Sequence, residues 1–116
     1  LVYWEGNEKS NPGIFFSDQA GLYKLNASNG VLDSSFGNKG FIKTNLSKTT
    51  PIIINNNLII STFAPSIDII DINNGKTKWK FFLKKNYNGY YLNSSSRLGG
   101  CNPWGGISAD TKNEIA

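Results

Sequence analysis

The sequence predicts an all-β chain of short antiparallel strands gathered into four-stranded sheets. Two observations lead there. Apolar β-branched and aromatic residues recur in short runs separated by Asn- and Gly-rich turns, the pattern of strands and hairpins. No sustained 3.6-residue apolar period follows a capping pattern anywhere, so helices are not expected. With 116 residues the chain bounds one small domain at most.

Taken in order, Leu1-Val2-Tyr3-Trp4 reads as a strand. Ile14-Phe15-Phe16 follows the turn Asn11-Pro12-Gly13 as the next. Leu22-Tyr23-Lys24-Leu25 runs into Asn26-Ala27-Ser28-Asn29-Gly30, and Asn-Gly is a strong hairpin signal. Val31-Leu32 is expected to open the return strand, with Phe36 to Phe41 as a further glycine-punctuated turn. From Pro51 the pattern is cleaner. Pro51-Ile54, Leu58-Thr62, Ile67-Ile72 and Thr77-Phe82 read as four strands of one meander, turned at Asn55-Asn57 and Asn73-Lys76. Residues 84–104 read as a polar loop ending in a Gly/Trp turn. Ile107 to Asp110 and the turn Thr111-Lys112-Asn113 follow.

Leu22-x-x-Leu25-Asn26-x-x-Asn29-Gly30 matches Ile67-x-x-Ile70-Asp71-x-x-Asn74-Gly75, so the chain repeats itself. The period falls between 40 and 50 residues with four strands per unit, which is the signature of β-propeller blades. Blade pieces are expected at about 1–48, 51–83 and 105–116, the last only a beginning. Trp79 then reads as a residue packing between blades. Each blade buries a face on its neighbour, so two blades cannot close a ring. The chain contains no methionine and opens directly on a strand, and it reads as an internal piece of a longer protein.

The formal net charge is +4. Most lysines are scattered. In Thr77-Lys78-Trp79-Lys80-Phe81 they alternate with aromatics, which places them on one solvated strand face and does not make a nucleic-acid surface. A single cysteine, Cys101, permits no internal disulfide, and the lack of histidine excludes a His-based triad or His-ligated metal within these residues. No apolar run reaches the ~20 residues of a membrane helix. Asp68, Asp71 and Asp110 fall in repeat strands or turns, where turn hydrogen bonding is the simplest role.

One stretch is unusual. Gly99-Gly100-Cys101-Asn102-Pro103-Trp104-Gly105-Gly106 presents a large flat ring on a permissive turn. Trp104 either plugs a core or offers a face on which a planar ligand stacks.

The repeat has a family likeness. Ile70-Asp71-Ile72-Asn73-Asn74-Gly75-Lys76-Thr77-Lys78-Trp79-Lys80-Phe81 resembles the blade motif of pyrroloquinoline quinone (PQQ) dependent dehydrogenases. Leu22 to Gly30, ending at Ser35-Phe36-Gly37, resembles a second segment of those enzymes, and Leu1-Val2-Tyr3-Trp4 a third. Gly100 to Asp110 is similar to their Gly-x-Asn-x-Trp-Gly-x-x-Ser-x-Asp segment. The likeness spans the chain in order and is closest to the glucose and alcohol dehydrogenase branch. It implies part of an eight-bladed propeller, PQQ and calcium near the axis, and a periplasmic setting. It also implies an alcohol or sugar substrate and an electron acceptor such as a cytochrome c or membrane quinone.

By the same resemblance Trp104 lies flat under the quinone and Asn102 orients the turn or reaches the cofactor edge. Ser61, Thr62 and Thr49 (or Thr50) meet its carboxylates. Phe63-Ala64-Pro65-Ser66 carries no carboxylate where the methanol dehydrogenase branch has a calcium ligand. The catalytic aspartate and the calcium ligands are expected outside residues 1–116, so no catalytic base or metal ligand is assigned here. The alternative is a non-catalytic propeller of the same repeats, a scaffold in envelope protein assembly. A sugar-binding propeller would be expected to repeat its tryptophan in each blade, and Trp104 has no such counterpart in this chain.

Overall fold

A computed structural model describes residues 1–44, 50–62, 66–82, 106–110 and 112–113. Among these the chain is all-β, with eight strands and no helix. The first sheet is a meander of β1 (Val2–Trp4), β2 (Gly13–Ser17), β3 (Gly21–Asn26) and β4 (Phe41–Lys43). The second repeats it with β5 (Ile52–Ile54), β6 (Asn57–Thr62), β7 (Ser66–Asp71) and β8 (Thr77–Phe82). Every neighbouring pair is antiparallel.

The repeated turn has the same bonds in both sheets. Asn26 Oδ1 accepts the Ser28 N–H, and Asp71 Oδ1 accepts that of Asn73. Gly30 N–H donates to Asn26 O, and Gly75 N–H to Asp71 O, both glycines at positive φ. Asn29 and Asn74 each accept the N–H two residues on, from Val31 and Lys76. Two side-chain-capped turns thus replace the two-residue hairpin that Asn29-Gly30 suggests, which would need positive φ at the asparagine as well.

The return strand of the first sheet is displaced from its expected place. Val31-Leu32 contributes one isolated bridge, Leu32 to Leu25. The ladder partner of β3 is β4, nine residues further on. The intervening chain is held by Asp33 N–H to Lys24 O and Lys24 N–H to Gly40 O. Asp33 ion-pairs with the Lys24 ammonium at 2.7 Å, and Gly37, Lys39 and Gly40 all take positive φ to bring Phe41 back. Of the piece expected at 105–116, residues 106–110 carry a bridge at Asp110, and residues 105, 111 and 114–116 lie outside the described residues.

The two sheets stack in a defined sense. With β3 set on β7 (Leu22 on Ile67, Leu25 on Ile70), the registers carry the match across both sheets. Val2, Trp4, Phe15, Leu22 and Ile42 correspond to Ile52, Ile54, Ile59, Ile67 and Phe81. Call this the leading face. On the trailing face, Tyr3, Ile14, Phe16 and Leu25 correspond to Ile53, Leu58, Ile60 and Ile70.

The shared core joins Trp4, Phe15 and Leu22 to Leu58, Ile60 and Ile70, closed by Phe36 and Ile72 from the turns. The leading face of the first sheet therefore packs on the trailing face of the second. Corresponding residues point the same way, one into the joint and its counterpart out of the far side, as in a head-to-tail stack. A two-fold sandwich would bring corresponding residues together. Phe15 anchors the joint, edge-on to Phe36 with ring centroids 5.4 Å apart. Gly37 N–H to Asn74 O and Asn7 Nδ2 to Asn56 Oδ1 tie the sheets at their margins.

Candidate functional site

Of the predicted site residues, Ser61 and Thr62 lie at the end of β6, whereas Thr49, Asn102 and Trp104 fall outside the described residues. Alternation along β6 sends Ser61 to the leading face with Ile59 and Thr62 to the trailing face with Ile60. Both are closed in, at 1% and 4% exposure.

Thr62 heads a chain of polar groups that the sequence reading missed. Its hydroxyl stands 2.8 Å from Ser66 Oγ, which donates to Asp68 Oδ1 at 2.7 Å. The other oxygen of Asp68 pairs with the Lys80 ammonium at 2.7 Å, directly across the β7–β8 ladder. The direction of this chain is fixed by proton counting. A carboxylate held by an ammonium only accepts, so the single Ser66 proton goes to Asp68. Ser66 Oγ then accepts the Thr62 proton. Thr62 is left with lone pairs and no hydrogen to give. A group built to meet a carboxylate must donate, so the Thr62 hydroxyl as placed does not fit a cofactor carboxylate.

The aspartates divide by burial. Asp68 is buried within the sheet stack and ion-paired, which corrects the expectation of turn hydrogen bonding there. Its signal was the alternation Ser66-x-Asp68-x-Ile70, which places it on the Ile70 face. Asp71 does cap its turn, and it also takes the Lys78 ammonium at 3.2 Å. Burial pushes its carboxyl up, but the Asn73 N–H and Lys78 outweigh that and hold it below the usual carboxylate value. Asp110 caps Lys112 and Asn113, and hydrogen bonds from Asn113 first of all hold it low. The single lysine face expected from alternation is broken by a β-bulge at Ile69/Ile70: Lys80 pairs with Asp68 on the trailing face, whereas Lys78 turns to Asp71 and Asn57 on the leading face, and both stay half-exposed.

A second buried charge lies in the first sheet. The Lys24 ammonium sits 2.7 Å from both Asp33 Oδ2 and Ser10 Oγ, and 4.9 Å above the Trp4 ring. All its neighbours are structural. Among the described residues no group of three or more His, Cys, Asp or Glu gathers as a metal site.

The leading face of the second sheet carries an apolar groove, with Ile54 and Ile59 buried in it. Ile54, Ile59, Ile67, Ile69, Trp79 and Phe81 line it, with Ile107 against its margin. Trp79 stacks on Phe81 with centroids 5.8 Å apart and stays 53% exposed.

No protein-family model matches the chain, and a search of curated proteins finds no match.

Proposed function

We propose that the chain is part of a β-propeller, and that the propeller belongs to a PQQ-dependent dehydrogenase oxidising an alcohol or sugar hydroxyl with transfer of reducing equivalents to the quinone. The observation that carries the first half is the head-to-tail stack. Its interface joins two different faces, so it can be repeated without limit until a ring closes. The second half rests on the ordered motifs and above all on Gly100 to Asp110. Trp104 supplies a flat apolar plate for a planar cofactor, and Asn102 lies two residues before it. When bound, PQQ with calcium accepts the reducing equivalents.

One observation favours the second reading, a non-catalytic propeller scaffold: Ser61 and Thr62 are both buried, and Thr62 gives its proton to Ser66. PQQ titration separates the two, carried out with calcium on the protein that contains this chain and followed by tryptophan fluorescence. The dehydrogenase reading expects saturable quenching that Trp104→Ala reduces at least tenfold in affinity. A protein that does not bind PQQ is the scaffold.

A further inference from the structure

Asn29-Gly30 and Asn74-Gly75 are one chemical unit placed at the same point of the two repeats. Glycine after asparagine leaves the next backbone nitrogen without a neighbouring Cβ, so the side-chain amide can close on it. Each amide already folds back over the following peptide. Asn29 Oδ1 accepts the Val31 N–H at 3.0 Å, and Asn74 Oδ1 accepts the Lys76 N–H at 2.8 Å. These bonds draw electrons from the amide carbon, Cγ. Both asparagines are exposed. The two glycine nitrogens are held alike, Gly30 N–H by Asn26 O at 2.9 Å and Gly75 N–H by Asp71 O at 2.8 Å. Local chemistry therefore makes the two pairs equally reactive.

Their tertiary settings differ. Asn74 O accepts the Gly37 N–H at 2.9 Å, and a Cβ on Gly75 would lie 2.9 Å from both Gly37 N and Ile42 Cδ1. A Cβ on Gly30 would meet nothing within 4 Å. The seat against the Asn74 turn comes from β4 and from the long connection before it, residues 27–40. The second sheet makes the same step with residues 72–76 alone. A further sheet built like the second would bring no such seat to Asn29.

We propose that Asn29 is a site of spontaneous deamidation, and that the joint between the sheets guards its twin, Asn74. The Gly30 nitrogen gives its proton to solvent and bonds to Asn29 Cγ. The bond from Cγ to Nδ2 breaks, and the side-chain nitrogen leaves as ammonia. Water then opens the five-membered imide at either carbonyl, leaving an aspartate or an isoaspartate and one new negative charge. Ring closure turns the bond between Cα and the backbone carbonyl carbon of the asparagine, which swings that carbonyl. At Asn29 only the turn itself moves. At Asn74 the same rotation pulls the carbonyl off the Gly37 N–H and shifts Gly75 in its tight seat, so the step waits for the joint to open.

The test incubates the unaltered chain at neutral pH, in buffer and in unfolding urea. Peptide mapping by mass spectrometry follows the change from amide to acid at each Asn-Gly pair separately. It thereby sets aside Asn88-Gly89, which lies outside the described residues. In urea the rates at Asn29 and Asn74 should agree within about twofold, whereas in buffer Asn74 should be slower than Asn29 by at least about tenfold. A ratio in buffer no different from that in urea, or an Asn29 that is the slower of the two, overturns the proposal. Ile42→Ala clears one side of the Gly75 seat, and circular dichroism checks that its sheets are intact. It should raise the Asn74 rate in buffer and leave the Asn29 rate where it was; an Asn74 rate that does not rise overturns the guard. Should this variant lose its sheets, both sites would react at their urea rates, and the unaltered chain alone decides.

Discussion

Lys24 and Asp33 form an ion pair whose two ends are not equivalent, and that inequality gives a sharp prediction. The Lys24 side chain is wholly buried, whereas Asp33 keeps 17% of its surface in water. Asp33 also has a second set of partners, the Ser35 N–H and hydroxyl at 3.0 and 2.6 Å. Lys24 without Asp33 keeps the Ser10 hydroxyl and the faces of Trp4 and Phe15, none of them an anion. Asp33→Ala therefore strands a buried ammonium, a change that costs about 3–5 kcal/mol. Lys24→Met removes the buried charge and keeps the volume of the stem, so its cost stays below about 1.5 kcal/mol. The gap is on the order of 2 kcal/mol or more. Urea unfolding at fixed protein concentration reads it directly, since a loss of about 3 kcal/mol moves the midpoint by roughly 1–3 M. Equal midpoints for the two variants, or a lower one for Lys24→Met, would refute the reasoning.

Two further outcomes follow from the same chemistry and from the turns. Burial raises the Asp33 carboxyl, but hydrogen bonds from Lys24 and Ser35 and the Lys24 charge outweigh it and hold it low. Asp71 is held low too. A carboxyl depressed in the folded state adds stability above its unfolded value, near 3.8, and loses it as pH falls through the folded one. Urea midpoints should thus fall below about pH 4, and Asp33→Asn should flatten that fall; an unchanged acid limb contradicts the pairing. The twin glycines Gly30 and Gly75 provide an internal control, both at positive φ. A Cβ on Gly30 meets nothing, whereas one on Gly75 comes within 2.9 Å of Gly37 N and Ile42 Cδ1 in the first sheet. Gly30→Ala should cost about 1–2 kcal/mol from strain alone, and Gly75→Ala about 1–3 kcal/mol more. Equal costs in thermal or urea unfolding would mean that the second turn does not press on the first sheet.

Much of the fold was legible because its signals are local. Alternation and Asn/Gly turns marked the second sheet from Ile52 to Phe82 nearly residue for residue. Val31-Leu32 misled because an Asn-Gly pair normally opens a return strand. What decides that loop is a long-range pair, Lys24 with Asp33, and three positive-φ residues around Phe36 to Gly40. A lysine between Leu22 and Asn26 gives no sign that its ammonium goes inside, apart from sharing their strand face. The sense of stacking was not legible either. The repeat tells which residues correspond, but only the packed structure shows that they point the same way and do not meet. At the candidate site the strand-end hydroxyls were placed correctly in β6. Their donor state depends on Asp68 and Lys80, which meet across a ladder and not along the chain. Trp104 and Asn102 lie outside the described residues, and their role rests on the motif.

The head-to-tail joint underlies the propeller proposal, and methyl–methyl NOEs test it most directly. In protein labelled at Ile and Leu methyls, Leu22 should show cross-peaks to the core formed by Leu58, Ile60 and Ile70. Cross-peaks from Leu22 to its counterpart Ile67 instead would place corresponding residues face to face. That result describes a closed two-fold sandwich and contradicts a stack that continues into a ring.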